Sequence, residues 1–137
     1  QTYIYTNDYA LMAQLDGSRK VLYNATGTHT LNFAAVTDDV VIDFDSGKGI
    51  VAGEQFAITS RTDFDLVFSG DGDDYFVMRE HGTSMDTGRG KDSVEAFGIA
   101  NFDGGKGFDR AILDLAKDTY SIEWADGTLV IDEKDGA

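Results

Sequence analysis

The chain has 137 residues, 25 acidic against 11 basic for a formal charge of −14, and neither cysteine nor proline. That length suits one domain with a modest core; the charge opposes phosphate backbones and anionic lipid headgroups, so cations are expected as partners and nucleic acid is not. No apolar run reaches the roughly twenty residues of a membrane span, and without thiols there is neither a disulfide framework nor a thiolate metal site.

The opening residues, "QTYIYTNDYA", carry no initiator Met and no signal peptide, so the chain is expected to be a piece of a longer protein with a neighbouring domain. With 6 Tyr, 9 Phe and 1 Trp it is too aromatic for a disordered acidic segment, and its 16 glycines suit tight turns better than flexible linkage. Short apolar runs follow one another between Gly, Asp, Asn and Ser clusters: "TYIY", "YALMAQL", "KVLYN", "TLNF", "DVVIDF", "QFAI", "DLVF" and "DYFVM". Each is rich in β-branched or aromatic residues or bounded by turn residues, and each is assigned as a strand. Asp16-Gly17 supports a hairpin in "MAQLDGSRKVLY", and residues 1–57 as a whole are expected to be capping strands and irregular coils. Further on, "GFDRAILDLAKDTY" approaches a helical pattern, but its Ile112, Leu113 and Leu115 suit a strand equally well, so the class is all-β. In residues 114–137 the Asp126-Gly127 turn of "TYSIEWADGTLVIDE" predicts a C-terminal hairpin with Trp124 opposite Leu129 and Ile122 opposite Ile131.

Residues 58–113 hold a repeat. Apolar residues recur every nine positions at Ile58, Val67, Phe76, Met85 and Val94. The segments "SGDGDDYFV", "TGRGKDSVE" and "GGKGFDRAI" start at Ser69, Thr87 and Gly104, spaced by 18 and 17 residues, with Gly at the second and fourth positions and Asp at the sixth. One apolar residue per nine, each after a polar turn, suits a chain coiled like a flattened spring whose every turn uses two nonapeptides. Loops one turn apart then stack at the strand spacing of about 4.8 Å, and Asp74, Asp92 and Asp109 form a column. Bare carboxylates so stacked repel, whereas a dication between neighbours turns repulsion into attraction.

The ligands on offer are carboxylate and carbonyl oxygens, which favour a hard ion, and calcium over magnesium because it accepts six to eight oxygens in irregular geometry. Gly70, Gly72, Gly88, Gly90, Gly105 and Gly107 would let the loops turn carbonyls inward. The expected metal-site residues are these glycines with Asp74, Asp92 and Asp109, holding two calcium ions: one between the loops ending at Asp74 and Asp92, one between those ending at Asp92 and Asp109. The opposite edge, "SRTDFD", "MREHGT" and "AFGIAN" near 60–65, 78–83 and 96–101, is expected to be largely metal-free, with Asp63 and Asp65 either holding an extra ion or facing solvent.

These three segments resemble the glycine- and aspartate-rich nonapeptide GGxGxDxUx, U being a large apolar residue, of the RTX or hemolysin-type calcium-binding repeat family. The resemblance runs from Ser60 to Leu113, and the flanks "HTLNFAAVTDDVVIDFDSGKG" and "DRAILDLAKDTYSIEWADGTLVIDEKDG" are similar to segments that border such repeats. The chain departs from the pattern at Ser69 and Thr87, which replace the first glycine, at Ala111, which is small for U, and in every second nonapeptide. The resemblance implies a parallel β-roll or β-helix closed by calcium, in a module of a larger secreted bacterial protein, exported by type I machinery and folding outside the cell.

Other assignments compete. "DFDSGKGIVAGE", Asp43 to Glu54, has EF-hand carboxylates at positions one, three and twelve, including Asp43 and Asp45, but Lys48 stands where the sharp-turn glycine belongs and strands flank it. His29 and His81 are isolated from any nucleophile, and no catalytic residue is assigned. Tyr3, Tyr5, Tyr9 and Tyr23 form either a platform for polysaccharide or cell-surface glycan in an adhesive module, or ordinary strand packing. A place in a polysaccharide-modifying enzyme rests on analogy of fold alone.

Overall fold

Alternation of apolar and polar residues over three to six positions produces strands through most of the chain. The computed structural model describes residues 1–23, 27–59, 62–78, 83–96, 99–115, 118–125 and 128–133, and among them are fifteen strands and one α-helix. In order these are β1 (Thr2–Thr6), α1 (Tyr9–Leu15), β2 (Val21–Leu22), β3 (Thr30–Ala35), β4 (Val41–Asp43), β5 (Lys48–Val51), β6 (Glu54–Ile58), β7 (Leu66–Phe68) and β8 (Tyr75–Val77). Then come β9 (Thr83–Asp86), β10 (Arg89–Gly90), β11 (Ser93–Ala96), β12 (Ile99–Asp103), β13 (Lys106–Leu115), β14 (Asp118–Ala125) and β15 (Thr128–Glu133).

The strands form two open sheets. One runs β1-β3-β7-β9-β12 and is parallel throughout. The other has a parallel centre, β4-β8-β11-β13, with antiparallel β5 and β6 beyond β4 and antiparallel β14 and β15 beyond β13. The chain passes alternately between them, from β3 to β4, β7 to β8, β9 to β11 and β12 to β13. The intervals of 18 and 17 residues are therefore pairing registers: Tyr75 lies beside Ser93 and Ser93 beside Arg110, while Val67 lies beside Met85 and Met85 beside Phe102.

Two apolar ladders face each other across the core. Leu31, Val67, Met85 and Phe102 stack in the first sheet, and Ile42, Phe76, Val94 and Ala111 in the second. All are buried except Phe102, which is partly buried against the cluster, and Ile58 is buried as well, so every nine-residue apolar position faces inward. Each of the larger side chains, all but Ala111, stabilises the fold by about 1.5–3 kcal/mol. A one-residue slip would turn a whole ladder to solvent, which is why the register is well specified.

Two sequence expectations change. "YALMAQL" is not a strand but α1, with Tyr9 and Ala13 buried one helical turn apart. Its Ala, Leu, Met and Gln are strong helix formers and no residue is β-branched, a propensity that outweighs its apolar character. Asp16-Gly17 makes no hairpin: the Asp16 carboxylate accepts from Ser18 N at 3.0 Å and Ser18 Oγ at 2.7 Å, capping a 3-10 turn over Gly17–Lys20. A hairpin occurs instead between β5 and β6, where Ala52 and Gly53 both take positive φ, 49° and 75°. At the C-terminus β14 and β15 pair with Trp124 beside Leu129 and Ile122 beside Ile131, as the turn chemistry predicts; Asp126-Gly127 itself lies outside the described residues.

Candidate metal centre

Where the chain crosses from the first sheet to the second, four short segments lie over one another at 36–40, 69–74, 87–92 and 104–109, called loops although β10 and the start of β13 pair within the last two. Their contact is set by glycine. A Cβ at Gly88 would strike the Gly70 carbonyl, one at Gly105 the Gly88 carbonyl, one at Gly90 the Gly72 carbonyl and one at Gly107 the Gly90 carbonyl. Gly70 and Gly72 close in the same way on the carbonyls of Val36 and Asp38. At 88, 90, 105 and 107 the backbone also has positive φ, from 70° to 134°, a region that L side chains resist.

The sixth-position aspartates come together inside this stack. Asp109 Oδ1 accepts from Asp92 N at 3.1 Å, Asp92 Oδ1 from Asp74 N at 2.9 Å, and Asp74 Oδ1 from Val40 N at 2.7 Å. The column inferred from spacing is therefore a hydrogen-bonded ladder, each carboxylate reaching one loop toward the N-terminus. Asp74, Asp92 and Asp109 are all at most 2 % exposed. Oδ2 of Asp74 and of Asp92 is buried without a hydrogen bond, which is costly for a charged group. Burial pushes the Asp74 carboxyl up to about 6, against the pull of the Ser69 hydroxyl and the Val40 N–H. It pushes Asp92 up to about 7, helped by the charges of Asp74 and Asp109 and opposed by the Asp74 N–H and the Thr87 hydroxyl.

Ser69 and Thr87, where the first glycine of the motif is replaced, are buried beside these carboxylates. In the third loop Gly104 leaves that space to Asp109, whose carboxylate a Cβ at 104 would strike. Two further sets of aspartates were not anticipated. At the fifth position Asp39 Oδ1 accepts from Asp73 N at 2.7 Å and Asp73 Oδ1 from Lys91 N at 2.8 Å, making a second, exposed ladder. At the loop entrances Asp86 Oδ1 accepts from Gly88 N at 3.1 Å and Asp103 Oδ1 from Gly105 N at 2.9 Å. The spacing Asp-x-Gly in "DTG" and "DGG" carried that second signal, since an aspartate readily bonds the backbone two residues on.

Among the described residues no three His, Cys, Asp or Glu side chains converge as a metal cluster. An ion held in the stack would need backbone carbonyls alongside one or two carboxylates, and every donor would be oxygen, which fits calcium chemistry.

Elsewhere the competing sites dissolve into structure. Asp65 Oδ2 accepts from His29 N at 2.9 Å and Asp65 N donates to His29 O at 2.9 Å, so this half-buried side chain ties down the β3 approach; Asp63 is also half-buried. His29 is buried with its ring beside Tyr3 and Phe64, and His81 lies outside the described residues. In the EF-hand-like segment Asp43 Oδ1 accepts from Asp45 N and Ser46 N, Glu54 pairs with Lys20 at 2.9 Å, and strands flank the turn. Tyr5 packs on Tyr9, Phe33 and Phe56, Tyr9 is buried with its hydroxyl on Gln55 O, and only Tyr23 of the four tyrosines is exposed.

No protein-family model, no curated protein and no solved structure matches the chain. Among the described residues no helix is long and apolar enough to cross a membrane.

Proposed function

We propose that this chain is a calcium-binding module of a larger secreted protein, a parallel β-roll of the RTX kind whose stacked loops hold calcium. The observation that carries this reading is the pair of buried carboxylates at Asp74 and Asp92, each with one oxygen unbonded beside a stack of carbonyls. A hard dication supplies the missing partner and cancels the repulsion along the column. Sites of this oxygen-only kind on extracellular modules bind with Kd of about 10⁻⁴ to 10⁻³ M, so the chain stays loosely folded where calcium is scarce and tightens outside the cell, where binding free energy adds to folding free energy. The ring contacts of Tyr3 with Phe64 and of Tyr5 with Phe56 favour the calcium reading over the adhesive one, for which these tyrosines would be the platform.

Thermal melts of the chelated protein with and without millimolar calcium test the proposal. Calcium at about 10 mM, roughly 10 to 100 times such a Kd, stabilises by about 1.4–2.7 kcal/mol per site, a rise in Tm on the order of 5–10 °C for a chain of this size. Magnesium, which keeps its waters, should do far less. A melt indifferent to calcium removes the proposal.

A further inference from the structure

We infer that a further calcium site lies one step upstream of the glycine-rich repeat, between the loop at 36–40 and the loop at 69–74. This rests on the calcium reading above and extends it to a loop, "VTDDV", that has no glycine and carries Val40 where the others carry aspartate.

Direction is the first argument. The three carboxylates all reach toward the preceding loop: Asp109 to Asp92 N, Asp92 to Asp74 N, Asp74 to Val40 N. Three side chains pointing one way enter three gaps, whereas counting from the motif-bearing loops alone finds two. Asp74 is thus assigned to the first gap, not to the one it shares with Asp92.

The contents of that gap are the second argument. Asp74 is 2 % exposed, and with Oδ1 occupied by the Val40 N–H its Oδ2 has no hydrogen bond. Ser69 is 5 % exposed, and although its hydroxyl lies near enough to Asp74 to draw the carboxyl's pKa down, its Oγ makes no hydrogen bond of good geometry. The Val36 and Asp38 carbonyls lie close against Gly70 and Gly72, and Val36 O also accepts from Asp71 N at 3.3 Å. Carboxylate, hydroxyl and carbonyl oxygens together make a hard donor set of the type calcium accepts.

Charge supplies the third. The two loops bounding this gap carry Asp38, Asp39, Asp71, Asp73 and Asp74 and no basic residue, while the later loops bring in Arg89, Lys91 and Lys106. A cation therefore meets a more negative potential here than further along the stack.

The test counts ions on the whole chain, stripped with chelator and titrated with calcium, by native mass spectrometry and calorimetry. Wild type should bind three ions and Asp74→Asn two, since the amide oxygen keeps the bond from Val40 N–H but lacks the charge. Ser69→Ala, which removes one hydroxyl, should weaken one of the three sites without changing the other two, and serves if Asp74→Asn fails to fold. One or two ions in wild type, or three in both wild type and Asp74→Asn, overturns this inference while leaving the calcium reading intact. No ion in wild type removes that reading and this site with it.

Discussion

The loops at 36–40 and 104–109 occupy equivalent places between the two sheets, yet one reads "VTDDV" and the other "GGKGFD". In the later loop Gly105 and Gly107 press against the Gly88 and Gly90 carbonyls, and Asp109 reaches back to Asp92 N. Behind the earlier loop, among the described residues, lies the Asn7 turn that follows β1 and no glycine-rich loop. Val36 is buried in the core, and Thr37 exchanges hydrogen bonds with the Asn7 side chain at 2.9 and 3.0 Å. Glycine and aspartate in these loops thus answer to the neighbour on the N-terminal side, so the motif marks every loop that rests on another and skips the one that starts the stack. The loop at 69–74 is intermediate: Gly70 and Gly72 are required by close approach to Val36 and Asp38 but lack the positive φ of the later glycines.

The largest effect that would sharpen this comparison is expected at Gly107. Gly107→Ala drives a Cβ into the Gly90 carbonyl at φ 134°, and a loss of about 3 kcal/mol or more is expected in urea unfolding. Asp38→Ala, at the corresponding position of the exposed first loop, should stay within about 0.5 kcal/mol. Equal losses at the two positions would break the asymmetry.

Next in size is Asp92→Ala. It leaves the Asp74 N–H buried without its acceptor, at about 1–3 kcal/mol in chelated protein, and should blunt the calcium-induced rise in Tm. A variant as stable and as calcium-responsive as wild type would contradict the ladder.

A smaller effect concerns pH. Asp74 and Asp92 have folded pKa values of about 6 and about 7, above the unfolded value near 4, so the folded chain binds more protons between those limits. Their contribution to stability in chelated protein is full below about pH 4 and is lost as pH rises toward 7. With saturating calcium the trend should reverse, because the ion needs ionised carboxylates. Urea midpoints across this range, with and without calcium, check both slopes.

The smallest expected change is at Gly17, which has open space around its Cα and no positive φ. Gly17→Ala should leave the melt unchanged or raise it slightly, in contrast to the stacked glycines.

Much of this was legible in the chain. The nine-residue recurrence from Ile58 to Val94 marks buried positions in both sheets, and the intervals between Asp74, Asp92 and Asp109 are the true pairing registers. The loop at 36–40 was not legible. It sits 34 residues before its neighbour instead of 18, because β5 and β6 are inserted between, and it lacks the glycines that announce the others. Helix α1 was missed because an apolar run of seven residues has no clear period, and only its lack of β-branched side chains distinguishes it from a strand.

By itself the sequence determined the spacing, the oxygen-rich chemistry of the loops and the alternation that buries one face of each strand, because these are local properties of a period and a residue type. Only the tertiary structure decided which way the aspartates reach, which loop begins the stack and which carboxylate oxygens are left unbonded. Those depend on contacts between residues 17 to 34 positions apart, where the backbone of one loop supplies the partner for the side chain of the next, and no motif within a single loop records that relation.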